Sequence, residues 1–253
     1  MTQNVLITAG ASGIGKAMAE GFAAIGANIW IIDTDQKALA HCPKAWRRDC
    51  LSVADPAAMA TLFEQIAQDW GQLDVLCANA GIAGQTALLE DQDVEAFRAC
   101  MQVNVEGAFL ACKGALPLMK AQGRGTVIFT SSTAGLYGYP HRAPYAAAKW
   151  AIHGLMKTVA MEAGPDGIRA NVIAPGSVSG PRMDGVIARE AAAKDMSPDA
   201  VRAGYAAGTS LRTFVDADDI ASMAVFLASD AARRVSGQVI AVDGHTENPD
   251  PKP

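Results

Sequence analysis

Basic residues are in short supply: 21 Lys and Arg stand against 26 Asp and Glu in 253 residues, a formal net charge of −5. Such a chain offers no positive field to a polyanion, which argues against nucleic acid and against an anionic membrane surface as partners. Cysteine is scarce and unorganised. The five thiols (Cys42, Cys50, Cys77, Cys100 and Cys112) are odd in number and form no CxxC pair, and no histidine stands at ligand spacing from them. Neither a disulfide framework nor a metal site is expected; reduced, mostly buried thiols of a cytoplasmic protein are. No apolar run reaches the roughly 18 residues of a membrane span. Residues 1–7 run into a strand pattern without a basic leader or a cleavage motif, so neither secretion nor membrane insertion is expected. Repeats, low-complexity tracts and breaks in composition are missing too, and one domain is the simplest organisation.

What is present is apolar material, 50% of the residues, arranged in an alternating rhythm. Short β-rich runs at residues 4–8, 28–33, 73–78, 125–131, 169–173 and 238–242 alternate with helical patterns. The longer of these lie at 14–25, 94–120, 144–164 and 217–229, and a short one follows residue 33. That is the signature of βαβ units, so the fold class is α/β, a doubly wound parallel sheet of Rossmann type. Residues 177–213 leave the rhythm, with a Gly/Ser/Pro-rich stretch followed by an Ala-rich charged segment. A helical lid over the carboxyl ends of the strands is expected there. Residues 245–253, with three prolines, are expected to form a surface strap or to be disordered.

Between the first strand and the first helix stands Thr8-Ala9-Gly10-Ala11-Ser12-Gly13-Ile14-Gly15. Small residues at a strand-to-helix turn let a pyrophosphate approach backbone N–H groups at the positive end of a helix. Gly10, Gly15 and Lys16 also fit the start of a P-loop, but the following Ala17 has no hydroxyl for Mg²⁺. Asp33 ends the second strand 18 residues past Gly15, where a carboxylate can accept both hydroxyls of an adenosine ribose. A 2′-phosphate would meet that carboxylate, and Thr34 and Ser12 supply no cation, so NAD is favoured over NADP.

Tyr145 and Lys149 are one helical turn apart in a helix introduced by Pro144, and so share a face. A nearby ammonium stabilises phenolate and lowers the tyrosine pKa towards the range useful for proton exchange with a substrate hydroxyl. Ser132 stands thirteen residues before Tyr145 at a strand end.

Taken together with Asp49, Asn79-Ala80-Gly81, Asn104 in Val103-Asn104-Val105, and Pro175-Gly176, these motifs make the chain resemble the short-chain dehydrogenase/reductase family over essentially its whole length. The resemblance implies that Tyr145 is the general acid/base, that Ser132 hydrogen-bonds the reacting oxygen, and that Lys149 holds the nicotinamide ribose and tunes Tyr145. Asn104 would anchor a water relaying the proton through Lys149. Cofactor contacts would come from Gly10, Ser12, Gly13 and Ile14 in the turn, Asp33, Asp49 with Cys50 near the adenine, Asn79 and Gly81, and Pro175, Gly176 and Val178 near the nicotinamide. Two departures stand out. Ala9 replaces the glycine that usually follows the first threonine, and Gly180 stands where many members carry a threonine, whose contact Ser177 or Ser179 would have to supply.

Arg142 and Arg182 could converge on an anionic group of a small substrate, or stand exposed or bridge subunits; Arg212 has a structural role. A hydroxy acid, polyol or sugar derivative is the expected substrate, with a 3-oxoacyl thioester or another hydrophobic ketone as the alternative. A dehydratase or epimerase using NAD transiently, or an NAD sensor without turnover, are the other functional classes. The resemblance further implies a homotetramer built through the helices beginning near Val94 and Pro144 and through the C-terminal strand.

Overall fold

The computed structural model describes residues 2–248. Seven parallel strands form one sheet in the order β3-β2-β1-β4-β5-β6-β7. They are β1 (Asn4–Thr8), β2 (Asn28–Asp33), β3 (Arg47–Cys50), β4 (Val75–Ala78), β5 (Gly125–Thr130), β6 (Ile168–Pro175) and β7 (Val239–Val242). Nearly every residue of β1, β4, β5 and β6 is buried, which is why these strands read as continuous apolar runs rather than alternating ones.

Alternate residues feed two cores. Leu6, Trp30 and Ile32 point to one face and pack with Met59, Leu62, Phe63 and Ile66 of α3 (Pro56–Asp69), Ala111 and Met119 of α5 (Gly107–Gln122), and Ile152 and Met156 of α6 (Ala143–Ala163). Val5, Ile7, Ile29 and Ile31 point to the other, against Met18 and Phe22 of α1 (Gly13–Ala24) and Ile220, Ala224 and Leu227 of α9 (Ala217–Ala228). Two further short helices, α2 (Gln36–Ala40) and α4 (Val94–Met101), complete the layers.

The expected elements at residues 4–8 and 28–33 coincide with β1 and β2. The expected helix at 94–120 is corrected: a π-turn at Gln102–Glu106 separates α4 from α5. The segment 177–213 holds a helical pair, α7 (Pro181–Lys194) and α8 (Pro198–Ala207), with a small core of its own from Ile187, Ala191, Val201 and Tyr205. Of the expected tail, only residues 245–248 are among those described. They form a strap: Thr246 bridges Thr209, its carbonyl accepts from the Tyr137 hydroxyl at 3.0 Å, and Glu247 and Asn248 donate to the Gly208 carbonyl. Among the described residues no helix is long and apolar enough to cross a membrane, and no group of three metal-ligating side chains occurs.

Candidate active site

All seven strands run the same way, and the order reverses between β1 and β4, the crevice where such sheets bind ligands. A cavity of about 380 Å³ opens there, small for a ligand pocket.

One wall is the glycine-rich turn. The Thr8 hydroxyl accepts from the backbone N–H groups of Asn79 and Ala80, both at 2.9 Å. Asn79 returns its side-chain amide to the carbonyls of Thr8 and Ala9 at 3.1 and 3.3 Å, so the ends of β1 and β4 are stitched together. Ala9 lies at φ +52° and Gly13 at φ +50°. The glycine missing from the motif thus falls on a left-handed position, where a side chain costs roughly 1–2 kcal/mol. Gly15 tolerates no substitution, since a Cβ there would sit 2.0 Å from the Ala9 carbonyl oxygen. Above Gly13 the space is open.

Capping varies among the helices, and α9, whose first residue Ala217 lines the cavity, is closed by a capping box of Asp216 and Asp219. Asp35, Asp55, Asp93 and Ser197 cap α2, α3, α4 and α8 with side-chain oxygens. The first residues of α1, α6 and α7 border or adjoin the cavity, and none of these helices carries a side-chain cap. Their terminal N–H groups are left to a ligand or to solvent. At α1 this fits the pyrophosphate of a dinucleotide. Asp33 reaches the turn through the Ala11 N–H at 3.1 Å and also accepts from Asp35 N at 3.1 Å. Asp49 accepts from the Trp30 indole at 2.5 Å, and the exposed Cys50 lies near the Thr34 carbonyl. Asp33, Asp49 and Cys50 do not line the cavity; Asp33 ends β2, and the other two sit on the edge strand β3.

The opposite wall carries the titratable groups. Lys149 is 3% exposed and donates to the Thr130 carbonyl at 2.9 Å. Its ammonium lies 5.5 Å from the centre of the Tyr145 ring. Burial pushes the Tyr145 phenol up, but the charges of Lys149, Arg182 and Arg142 and a hydrogen bond with Ser132 outweigh it and hold the phenol below its ordinary value. Burial likewise lowers Lys149, against the opposing pull of Tyr145. Ser132 opens a 3₁₀ turn and accepts from Ala134 N at 3.2 Å.

Behind Lys149, Asn104 sits in the π-turn with its amide nitrogen donating to the carbonyls of Cys100 at 2.8 Å and Ile82 at 3.0 Å. Its Oδ1 is buried and accepts nothing from the described residues. A Cβ built on Gly81 would lie 2.4 Å from that oxygen and 3.2 Å from Lys149 Nζ. The two groups therefore face a common point, at a separation one water can bridge.

Most of the expected site residues meet at this cavity. Ser12, Gly13, Ile14 and Asn79 line it from the turn, Ser132, Tyr145 and Lys149 from the opposite wall, and Pro175, Gly176 and Val178 from the end of β6. Arg142 and Arg182 line it too, as do Ser177 and Ser179. Gly10 packs beneath the turn, where a Cβ would meet Ile31 at 2.6 Å. Gly180 stands at φ +128°, a conformation a threonine adopts only with strain, so the departure at this position has a backbone reason. Arg212, also at positive φ, donates to the Ala207 carbonyl away from the cavity.

Sequence reasoning missed Thr8, Thr130 and Glu190. Thr8 and Thr130 are strand-end residues whose backbone or hydroxyl does the positioning, a role that leaves no mark in composition. Glu190 is 7% exposed in the helical pair and accepts from the Tyr205 hydroxyl. Its one signal was an acid placed between Ile187 and Ala191 on the apolar face of α7.

A family profile described as enoyl-(acyl carrier protein) reductase matches residues 8–245. Trans-4-hydroxycyclohexanecarboxylate dehydrogenase of Sinomonas cyclohexanicum is 36% identical over 252 residues, covering 94% of this chain and 90% of that one. Cis-4-hydroxycyclohexanecarboxylate dehydrogenase of the same organism is 35% identical, with 94% of each chain covered. Among solved structures, NAD⁺-bound xylitol dehydrogenase superposes with a TM-score of 0.93 at 26% identity, covering 96% of this chain and 98% of that one. Matched by the family profile over residues 8–245 and by relatives 35–36% identical over nearly its whole length, the chain belongs to the short-chain dehydrogenase/reductase family of oxidoreductases.

Proposed function

We propose that the chain is an NAD(H)-dependent dehydrogenase that interconverts a small polar secondary alcohol and its ketone, with Tyr145 exchanging the hydroxyl proton. The observation that carries this reading is the depressed Tyr145 phenol, which opens on the same cavity as the uncapped start of α1. When bound, the nicotinamide supplies the hydride acceptor or donor. The protein's own part is to bind, orient and move a proton. Ser12, Gly13 and Ile14 would hold the pyrophosphate, Gly10 would keep the turn close to the sheet, and Asp33 would hold the adenosine ribose. Asp49 and Cys50 would flank the adenine, Asn79 and Gly81 the middle of the cofactor, and Pro175, Gly176 and Val178 its nicotinamide end.

Ser132 would orient the substrate oxygen towards the phenol. In oxidation, Tyr145 as phenolate accepts the hydroxyl proton. Lys149 stabilises that phenolate, and the free Asn104 Oδ1 would anchor the water through which the proton leaves along Lys149. NAD is preferred because the Asp33 carboxylate would face a 2′-phosphate, and the NAD⁺-bound relative supports the same choice. Relatives acting on hydroxycyclohexanecarboxylates and xylitol support a hydroxy acid or polyol as substrate.

The helical pair α7–α8 would act as the lid. A cytoplasmic homotetramer is the proposed assembly, supported by Phe97, Phe109 and Leu155, which leave an apolar groove on α4, α5 and α6. The test is a screen of secondary alcohols with NAD and NADP, followed at the absorbance of reduced nicotinamide. Turnover with NAD that falls by orders of magnitude in Tyr145→Phe is expected; tight NAD binding without turnover of any alcohol would overturn the reading.

A further inference from the structure

We propose that the cavity selects alcohols bearing one singly charged oxyanion, a carboxylate or a sulfonate, which Arg142 binds from the buried wall and Arg182 covers from α7. This rests on the dehydrogenase reading above and names the substrate class of the same site.

Arg142 is 7% exposed, yet no carboxylate pairs with it among the described residues. Its Nε–H is buried and donates to nothing among the described residues. The Tyr145 ring, 4.9 Å from the guanidinium carbon, is the one charge-stabilising contact it makes among the described residues. A cation–π contact returns much less than a guanidinium loses on leaving water, so a buried arginine of this kind is ordinarily paired.

Neighbouring groups do not complete the pair. Glu190 is engaged by the Tyr205 hydroxyl and by Lys194, the latter at 2.8 Å. The Tyr139 hydroxyl shares a hydrogen with Thr133 Oγ1 at 3.3 Å. Arg142 and Glu190 both act electrostatically on Tyr139 and Tyr205. A carboxylate therefore stands one hydrogen bond behind Tyr205, which lines the cavity, and this disfavours a second negative charge on the ligand.

Arg182 borders the same cavity, is exposed, and enters no ion pair among the described residues. It follows Gly180 at the start of α7, so it can approach an anion that Arg142 already holds. The planar fork of a guanidinium suits the two oxygens of a carboxylate. Because the nicotinamide end must share a cavity of about 380 Å³, the acid must be compact.

Secondary alcohols of one skeleton, ending in a carboxylate, a sulfonate, a phosphate or a neutral amide, test this with the wild type, Arg142→Gln, Arg142→Lys and Arg182→Gln. The carboxylate or sulfonate is expected to exceed the amide and the phosphate in kcat/KM. Arg142→Gln should lower that preference about 10- to 100-fold, chiefly through KM, the scale of a lost charge-assisted contact. Arg182→Gln should lower it less. An NADH fluorescence titration reports the folding of each variant, and if Arg142→Gln is misfolded, Arg142→Lys and Arg182→Gln carry the comparison. A preference for the amide or the phosphate, or a preference unchanged by these substitutions, overturns the proposal.

Calorimetric titration of acetate and methanesulfonate into the NADH complexes separates this from the dehydrogenase reading. Binding lost in Arg142→Gln upholds the anion site even if no alcohol turns over. Equal binding in the variant, or none in the wild type, sinks it.

Discussion

Arg142, the N-cap residue of α6, holds its guanidinium 4.9 Å from the centre of the Tyr145 ring, three residues ahead of it in the chain. With Lys149 5.5 Å from the same ring, the phenol is bracketed by two cations. Burial alone would raise its pKa, and these charges with Arg182 and Ser132 bring it below 10.0. Alcohol oxidation needs the phenolate, so kcat/KM should rise with pH and level off above a pKa lower than 10. Arg142→Gln removes one lowering charge and should move that limb to higher pH. A pH–rate profile from about 6 to 10 checks both, and a limb unmoved by the substitution contradicts the role given to Arg142.

Removing the phenolic oxygen leaves the ring and its packing in place. Tyr145→Phe is expected to lower kcat by roughly 10²- to 10⁴-fold, the range of a lost general acid/base, while NADH still binds. Stopped-flow turnover with a fluorescence titration separates the two effects. A variant retaining most of its kcat would remove Tyr145 from the chemistry.

The Asp33 carboxylate is fixed by the N–H groups of Ala11 and Asp35, so it cannot turn aside from an incoming 2′-phosphate without losing both bonds. Asp33→Ser should therefore shift the ratio of kcat/KM values for NAD and NADP towards NADP by about 100-fold, the scale of relieving a like-charge contact. Steady-state kinetics with both cofactors measures it; an unchanged ratio would mean that another residue sets the preference.

At Ala9, φ +52° places an alanine where glycine is at ease. The relief of backbone strain in Ala9→Gly exceeds the extra freedom that glycine gives the unfolded chain, so a gain of roughly 0.5–1 kcal/mol is expected. Urea unfolding gives the number. A loss of stability would show that the turn relaxes away from this conformation.

Phe97 and Phe109 are 39% and 47% exposed, and they line a groove with Met101, Val105 and Leu155. If this groove is an interface between copies, Phe109→Glu buries a charge without a partner there and should reduce the molar mass in light scattering. An unchanged mass would assign the groove to another use.

How far the sequence could be read depends on whether each feature is local. β1, β2, β5 and β6 are buried on both faces and showed as apolar runs, and the glycine-rich turn and the i, i+4 spacing of Tyr145 and Lys149 are short-range patterns with short-range causes. β3 escaped because its residues, Arg47, Arg48, Asp49 and Cys50, include no apolar pair; it is an edge strand held by backbone bonds to β2. α3 is absent from the expected elements although its signal is local, with Asp55 as cap, Pro56 in the first turn, and Met59, Leu62, Phe63 and Ile66 at helical spacing.

Three features were settled only by the packing of distant segments. The π-turn around Asn104 leaves its Oδ1 buried and unpaired, because Ile82 and Cys100 take both protons of the amide nitrogen. Glu190 is occupied by Tyr205 and Lys194 from α7 and α8, not by Arg142. Arg142 was legible in the sequence as a candidate anion ligand, but its burial with no carboxylate partner among the described residues was not. By itself the sequence determined the sheet, the turn and the order of the chemical groups, since hydrophobic period and residue spacing act along the chain. Which of those groups are left unsatisfied was decided by the tertiary structure, because a hydrogen bond or an ion pair is made or missed only when remote segments meet.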